Sequence, residues 1–438
     1  MFRKTVLESW TAGKLGLTAD SLTRRRIEEY QLERLRETVR WARAHSPFYR
    51  QHLAHFSEQS LSSLKDMRQL PFTTPNDLQQ NGPQFLCVSQ SDIQRVVTLE
   101  SSGTSGEPKR VFFTAKDQEL TIDFFQAGMS MLVGRGDRVL IALPGERPGS
   151  VGDLLATAVG RLGARAVPCG LITDPILATQ LMAREQVDCV VGLPVQVLSI
   201  IRCCGPHAEV PSRFLTRVLL CSDHVPDSIV RAIHEAWNCE VFEHYGMTEM
   251  GLGGGVDCEA HSGYHLREAD LYFEIVDVTS GDPVTPGQYG EIVFTTLTRR
   301  GMPFIRYRTG DISRLLPEPC TCGAVLQRLG KVRRGRSYVS ISPDAAITMA
   351  ELDEALFAVP QLYEFTAQVV HGHPATLQVK AAAYGVNGLL REALKRALND
   401  VPAVRQARAS GDLQVEITIS KKRFPIHAGK RRIEERAA

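Results

Sequence analysis

The residues best suited to chemistry begin at Ser101. The run Ser101-Ser102-Gly103-Thr104-Ser105-Gly106-Glu107-Pro108-Lys109 follows a strand-like stretch from Arg95 to Leu99. Gly103 and Gly106 let the backbone turn and gather several N–H groups on one side, a nest that suits phosphate oxygens. Ser101, Ser102, Thr104 and Ser105 add hydroxyl donors, and Lys109 adds a point charge. The Gly-Lys-Ser/Thr ending of a Walker A loop is missing. By composition alone such a loop reads as readily as a surface turn, so its companions must decide.

Four further segments accompany it. Glu243-His244-Tyr245-Gly246-Met247-Thr248-Glu249 closes a region of alternating strands and helices, and Ile305-Arg306-Tyr307-Arg308-Thr309-Gly310-Asp311 follows a second set of strands. Gly335-Arg336-Ser337 stands at a compositional break, and Pro425-Ile426-His427-Ala428-Gly429-Lys430 lies near the end. Singly, the Tyr-Gly and Gly-Asp pairs are turn chemistry, and Lys430 belongs to a charge run of the kind that usually faces solvent.

Taken together, their order and spacing resemble the adenylate-forming superfamily of acyl-CoA synthetases and adenylation domains. The branch they resemble most is that of the phenylacetate–CoA ligases. The stretches Leu32 to Arg40, Ser46 to Arg50 and Pro303 to Asp311 are similar to that branch. The resemblance implies ATP-dependent activation of a carboxylic acid, aryl or arylacetic, to an acyl adenylate with loss of pyrophosphate, followed by transfer to coenzyme A. It implies that Ser101, Ser102, Gly103, Thr104, Ser105, Gly106 and Lys109 hold the β- and γ-phosphates of ATP. Tyr245 would lie on the adenine, Gly246 would permit close approach, and Thr248 would touch the α-phosphate. Glu249 would hold Mg²⁺, a hard cation that favours carboxylate and phosphate oxygens. Asp311 would accept the ribose hydroxyls, and Arg336 would contact ribose or phosphate. Lys430 would bridge substrate carboxylate and α-phosphate, where negative charge builds in the transition state.

The resemblance also implies a small C-terminal domain that rotates between the two half-reactions, with its hinge at Gly335-Arg336-Ser337. After that hinge the sequence departs from the branch. Tyr338-Val339 stands where two acidic residues are usual, and Ser340 to Asp344 replaces much of a loop on the thioester-forming side. An acceptor other than coenzyme A (an amine, a carrier protein or a small nucleophile) is therefore the alternative. Retention of Lys109, Glu249, Asp311 and Lys430 argues against a silent nucleotide-binding protein. Candidate acyl-pocket segments are Leu143-Pro144-Gly145, Leu193-Pro194 and Ser222-Asp223-His224, and the sequence does not rank them.

Cys320-Thr321-Cys322-Gly323 sits on a turn after Pro317-Glu318-Pro319, and Cys258 is followed by His261 and His265. Both segments flank a β-meander, so a Cys₃His site for Zn²⁺ fits. Some members of the branch carry such a structural zinc, with its histidine after a Gly-aromatic pair. That favours His265, after Gly263-Tyr264, over His261.

Composition bounds the rest. Lys and Arg total 51 against 49 Asp and Glu, a net charge of +2, which argues against a dedicated nucleic-acid surface. A 43% hydrophobic and 23% charged chain is an ordinary core-forming one. No apolar run is long enough for a membrane span, and Met1 to Glu8 has no signal-peptide core. Most of the ten cysteines lie in apolar runs, as free thiols do, so a cytoplasmic location is expected. By its branch, a homodimer is expected.

The elements that must position these residues follow from periodicity. Residues 24 to 56 carry a helical apolar period. From about 118 to 245, short apolar runs alternate with helical stretches, which predicts a mostly parallel sheet covered on both faces. Leu271 to Val276 and Gly290 to Thr295 read as meander strands with turns at Asp282-Pro283 and Pro286-Gly287. The expected fold is α/β. A large N-terminal domain, 1–334, holds mixed and parallel sheets, helices and the meander. A small, mobile α+β domain, 335–438, follows.

Overall fold

Alternating strands and helices in the middle of the chain, and largely apolar strands after it, build the sheets of the computed structural model, which describes residues 2–56, 58–99, 108–203, 213–335, 338–384, 388–420 and 430–437. The fold is α/β, with two compact units. The first comprises Met1–Gly134, Arg147–Leu162 and Phe242–Arg334; the second comprises Arg135–Glu146, Gly163–Val241 and Gly335–Ala438.

In the first unit the meander strands Leu271–Val276, Gly290–Thr296 and Tyr307–Ser313 pair antiparallel, and Arg333–Arg334 joins their edge. Helix Arg24–His45 ends at Ser46 because Pro47 opens a new helix, Pro47–His52, whose Tyr49 amide donates to Ser46 Oγ at 3.2 Å. The single helix expected over 24–56 is therefore two. Its apolar period runs through the break, but a proline N1 and a serine cap reset the axis. Arg306, fully buried and at φ 47°, forks onto Glu274 at 3.0 and 3.1 Å and donates to the Leu70 carbonyl at 2.6 Å. This fixes the start of strand Tyr307–Ser313, which carries Asp311. Burial outweighs the arginine and raises the Glu274 pKa.

In the second unit, Arg165–Pro168, Arg138–Ala142, Cys189–Gly192 and Arg217–Leu220 pair in parallel, as the alternation predicts. The last hundred residues form a four-stranded sheet in the order Leu413–Ser420, Ala375–Ala383, Leu362–Val370, Glu434–Arg436. Helices Met349–Phe357, Gly388–Asp400 and Pro402–Ala409 accompany this sheet.

The segment from Gly335 belongs to the same compact unit as 163–241, and the two share one buried core. Two polar devices reinforce that shared core. Arg202, buried on helix Pro194–Cys203, donates to the carbonyls of Phe357 at 2.8 Å, Val359 at 3.1 Å and Leu362. Burial pulls its pKa down to about 10, so its carbonyl partners matter. Glu354 accepts from the amides of Asp227 at 2.7 Å and Ser228 at 3.2 Å, serving a helix whose N-cap, Pro226, offers no side-chain acceptor. Among the described residues, no helix is long and apolar enough to cross a membrane.

Candidate active site

Strand Glu240–Tyr245 ends on Tyr245, and a 3₁₀ turn, Thr248–Met250, follows at once. The turn can return so tightly because position 246 is glycine: a Cβ there would stand 2.4 Å from the Leu252 carbonyl oxygen. Tyr245 is buried, and its hydroxyl donates to Asp311 Oδ2 at 3.2 Å. Burial first, then the Asp311 charge, holds the phenol protonated well above its ordinary range.

Asp311 is offered by an irregularity in its strand. Pairing with Gly290–Thr296 slips between Glu291 and Val293, and Gly310 at φ 75° donates its amide to Glu291 Oε1 at 2.9 Å. Extra residues on one strand of a pair re-aim its side chains. The expected Gly-Asp turn is thus a bulge inside a strand.

Glu249 is 1% exposed, so its charge needs partners. Lys109 Nζ lies 2.8 Å from Glu249 Oε1, and the Tyr307 hydroxyl donates to the same oxygen at 3.1 Å. Behind it, buried Arg299 donates to the Glu249 carbonyl at 2.9 Å and to the Phe112 carbonyl at 2.7 Å, while packing on the Phe113 ring at 4.4 Å. Arg299 thereby ties the glutamate turn to strand Lys109–Thr114, on which Lys109 stands. Sequence reasoning assigned no role to Tyr307 or Arg299. Tyr307 lay within a quoted motif, whereas nothing local marks Arg299.

Lys109, Tyr245, Gly246, Glu249 and Asp311 are thus gathered in one unit, with Thr248 half-buried on the same turn. Ser101, Ser102, Gly103, Thr104, Ser105, Gly106 and Arg336 lie outside the described residues. Lys430 belongs to the second unit and is exposed. The three acyl-pocket candidates each follow the carboxyl end of a parallel strand: Leu143 after Arg138–Ala142, Leu193 after Cys189–Gly192, and Ser222 after Arg217–Leu220. Open α/β sheets bind ligands at that edge. Asp223 is occupied there by the amides of His224 and Arg431, both at 2.9 Å.

The Cys and His residues also converge. The donor atoms of Cys258, His265, Cys320 and Cys322 all lie within 4.8 Å of one another, and all four residues are buried. Cys258 Sγ is 3.8 Å from Cys320 Sγ, and Cys322 Sγ is 3.5 Å from His265 Nε2. Tetrahedral Zn–S bonds of about 2.3 Å put sulfurs about 3.8 Å apart, whereas a disulfide needs about 2.05 Å. His261 instead directs Nδ1 to Asp257 at 2.6 Å, which leaves His265 as the histidine of the cluster. Hydrogen bonds from Cys258 and then His265 hold the Cys322 thiol well below its usual range.

A model of the AMP-binding enzyme family matches residues 70–297, a span that includes Lys109 and the Tyr245–Glu249 turn. The chain is 31% identical to a phenylacetate–coenzyme A ligase of Aromatoleum evansii over 365 residues, 81% of either chain. It is 29% identical to that of Pseudomonas putida over 347 residues, 77% of either chain. Its fold is similar to a 2-hydroxyisobutyryl-CoA ligase in the postadenylation state with a bound acyl-AMP, at a TM-score of 0.79 and 21% identity, covering 95% of this chain and 90% of that one. The chain therefore belongs to the AMP-binding enzymes, in the phenylacetate–CoA ligase-like branch of the adenylate-forming superfamily.

Proposed function

We propose that this protein is an AMP-forming acid–thiol ligase that activates a carboxylic acid with ATP and passes the acyl group to coenzyme A. One observation carries the reading: Lys109, Tyr307 and Glu249 converge within 3.1 Å beside a Tyr245–Asp311 pair, in a chain of this family. In the first step the acid's carboxylate oxygen attacks the α-phosphorus, the α–β phosphoanhydride breaks, and pyrophosphate leaves. In the second, the thiol of coenzyme A attacks the acyl carbon, and AMP leaves with the carboxylate oxygen that had joined it to phosphorus.

The roles follow from chemistry. Tyr245 offers a ring face to adenine, and Asp311 keeps acceptor capacity for ribose hydroxyls beyond its Tyr245 bond. The loop from Ser101 to Gly106, with Lys109, holds the departing phosphates, and Thr248 faces the α-phosphate. Arg336 meets ribose or phosphate, and Lys430 neutralises charge on the phosphoryl oxygens. Glu249 fits Mg²⁺, because both of its described side-chain contacts fall on Oε1. That ion, when bound, neutralises phosphate charge.

The Cys258, His265, Cys320 and Cys322 cluster fits Zn²⁺ by donor type and spacing. Four protein ligands close its shell, so its role is structural. It would clamp strand Tyr264–Leu266 to the 320–322 turn. The acid is an aryl or arylacetic one by likeness to the curated relatives. Those relatives favour coenzyme A over another acceptor despite Tyr338-Val339. We read 335–438 as the segment that rotates between half-reactions, and the protein as a cytoplasmic homodimer.

The test is carboxylate-dependent ATP–pyrophosphate exchange with phenylacetate, benzoate and 2-hydroxyisobutyrate, followed by addition of coenzyme A. Exchange with at least one acid, then thioester, is expected. Exchange without thioester would transfer the reading to another acceptor, and no exchange with any acid would remove it.

A further inference from the structure

One residue beyond Lys430 the chain is held by several contacts. The Arg431 amide donates to Asp223 Oδ2 at 2.9 Å. Its guanidinium donates from Nε and Nη2 to Asp353 Oδ1 at 3.1 and 3.0 Å, and from Nη1 to the Phe365 carbonyl at 3.0 Å. The same group lies 4.4 Å from the Phe365 ring centroid and 5.2 Å from that of Phe357. Two residues on, Ile433 is buried, and Glu434–Arg436 pairs in parallel with Leu362–Val370. Lys430 itself is exposed.

A lysine ammonium rides on four rotatable carbons, so its reach is defined only if its backbone is held. A planar guanidinium with five donors suits that task, because carboxylate, carbonyl and ring faces can be engaged together. Lysine at 431 could not make this set of contacts.

We infer that Asp223 and Asp353, acting through Arg431, are positioning residues that set Lys430 for the adenylation step. The inference rests on the reading of Lys430 given above. The two acids divide the task. Asp353 lies on helix Met349–Phe357, within the same terminal segment as Arg431, and travels with it. Asp223 follows strand Arg217–Leu220 and holds the Arg431 amide from outside that segment. The Asp223 contact, like those of Arg202 and Glu354, must therefore break if 335–438 rotates, and among them it alone holds the residue next to Lys430.

The experiment compares Asp223→Ala, Asp353→Asn and Lys430→Ala with wild type in the full chain at pH 8. One readout is ATP–pyrophosphate exchange with whichever acid of the panel above supports it best. Another is thioester formation from that acid's chemically synthesised adenylate and coenzyme A. A third, independent of substrate, is amide hydrogen exchange of the peptide spanning 430–437.

Asp223→Ala is expected to lower exchange kcat about 10- to 100-fold, with KM for ATP within about threefold, because a misplaced group costs rate rather than affinity. Its thioester half-reaction should stay within about twofold, which also reports correct folding. Asp353→Asn should lower exchange in the same direction. Both should speed hydrogen exchange at 430–432. Equal loss in both half-reactions, or unchanged hydrogen exchange, would overturn the inference. If Lys430→Ala abolishes exchange while Asp223→Ala does not, the positioning role alone falls. If Lys430→Ala keeps full exchange, the reading of Lys430 falls and this inference with it.

Discussion

The Lys109 ammonium lies 2.8 Å from Glu249 Oε1, joining the strand after the Ser/Gly loop to the turn after Tyr245. The glutamate is almost wholly buried and the lysine four-fifths so. Each neutralises the other, and both are the groups that the proposed reaction needs for phosphate and metal. On that proposal the pair would part, leaving Lys109 to meet phosphate oxygens and Glu249 able to hold a cation.

Breaking one side of this pair should cost more than breaking both. Lys109→Met leaves a buried carboxylate with, among the described side chains, the Tyr307 hydroxyl as its hydrogen-bond donor, and is expected to destabilise by about 2–4 kcal/mol. The double variant Lys109→Met, Glu249→Gln should recover most of that stability in denaturant melts, yet lose at least about 100-fold in pyrophosphate exchange. Additive stability losses would show that the two side chains do not depend on each other.

In the proposed reading Asp311 and Tyr245, joined by a hydrogen bond, form the nucleotide side of the site. Asp311→Asn keeps an acceptor for the Tyr245 hydroxyl but loses the charge that favours ribose hydroxyls. KM for ATP should rise about tenfold or more, since hydrogen bonds to charged groups are worth about 1.5–3 kcal/mol. Tyr245→Phe should change KM less. Steady-state kinetics at fixed acid concentration reads both, and equal effects would displace Asp311 from its ribose role.

The sulfur cluster predicts about one equivalent of zinc in protein purified without added metal. Cys320→Ser with Cys322→Ser should abolish the metal and lower the melting temperature, as should prolonged chelation of wild type. Elemental analysis and calorimetry check this. A metal-free wild type with an unchanged melt would make the four residues an ordinary buried thiol cluster.

Burial raises the Asp353 pKa to about 7 against Arg431, which lowers it; Asp223 and Glu354 add to the rise. The folded chain therefore holds this proton between about pH 4 and 7, where the unfolded chain has released it. Asp353 favours folding fully at the acid end, and that contribution is lost as pH rises through 7. Asp353→Asn removes the dependence, so its melting temperature relative to wild type should climb between pH 5 and 7.5. His244, drawn down to about 4 by burial and then Arg267, acts with the opposite sign in both proteins and cancels in the difference. A flat difference would contradict the buried-acid account.

The meander was legible because its strands alternate and its turns carry Asp282-Pro283 and Pro286-Gly287, which punctuate a chain locally. The parallel strands were legible for the same reason: each is a short apolar run between helices. Local periodicity could not show the break at Ser46-Pro47, where apolar spacing continues through a cap. Nor could it show that Asp311 stands on a bulge, which depends on slippage against Glu291. Resemblance singled out the motif residues Tyr245, Glu249 and Asp311 but not their partners. Tyr307 meets Glu249 only through the pleat of its strand, and Arg299 acts through carbonyls that no side-chain pattern announces. Asp223 stood in one of three unranked pocket segments, and its bond to Arg431 joins parts of the chain that no local pattern connects.

Isotope transfer tests the central chemistry most directly. The acid that best supports exchange is labelled with ¹⁸O in both carboxylate oxygens and turned over with ATP, Mg²⁺ and coenzyme A. Mass spectrometry of the AMP should find one ¹⁸O in its phosphate, because the carboxylate oxygen that attacked phosphorus leaves with it. Unlabelled AMP, or ADP with the label in inorganic phosphate, would contradict an acyl adenylate.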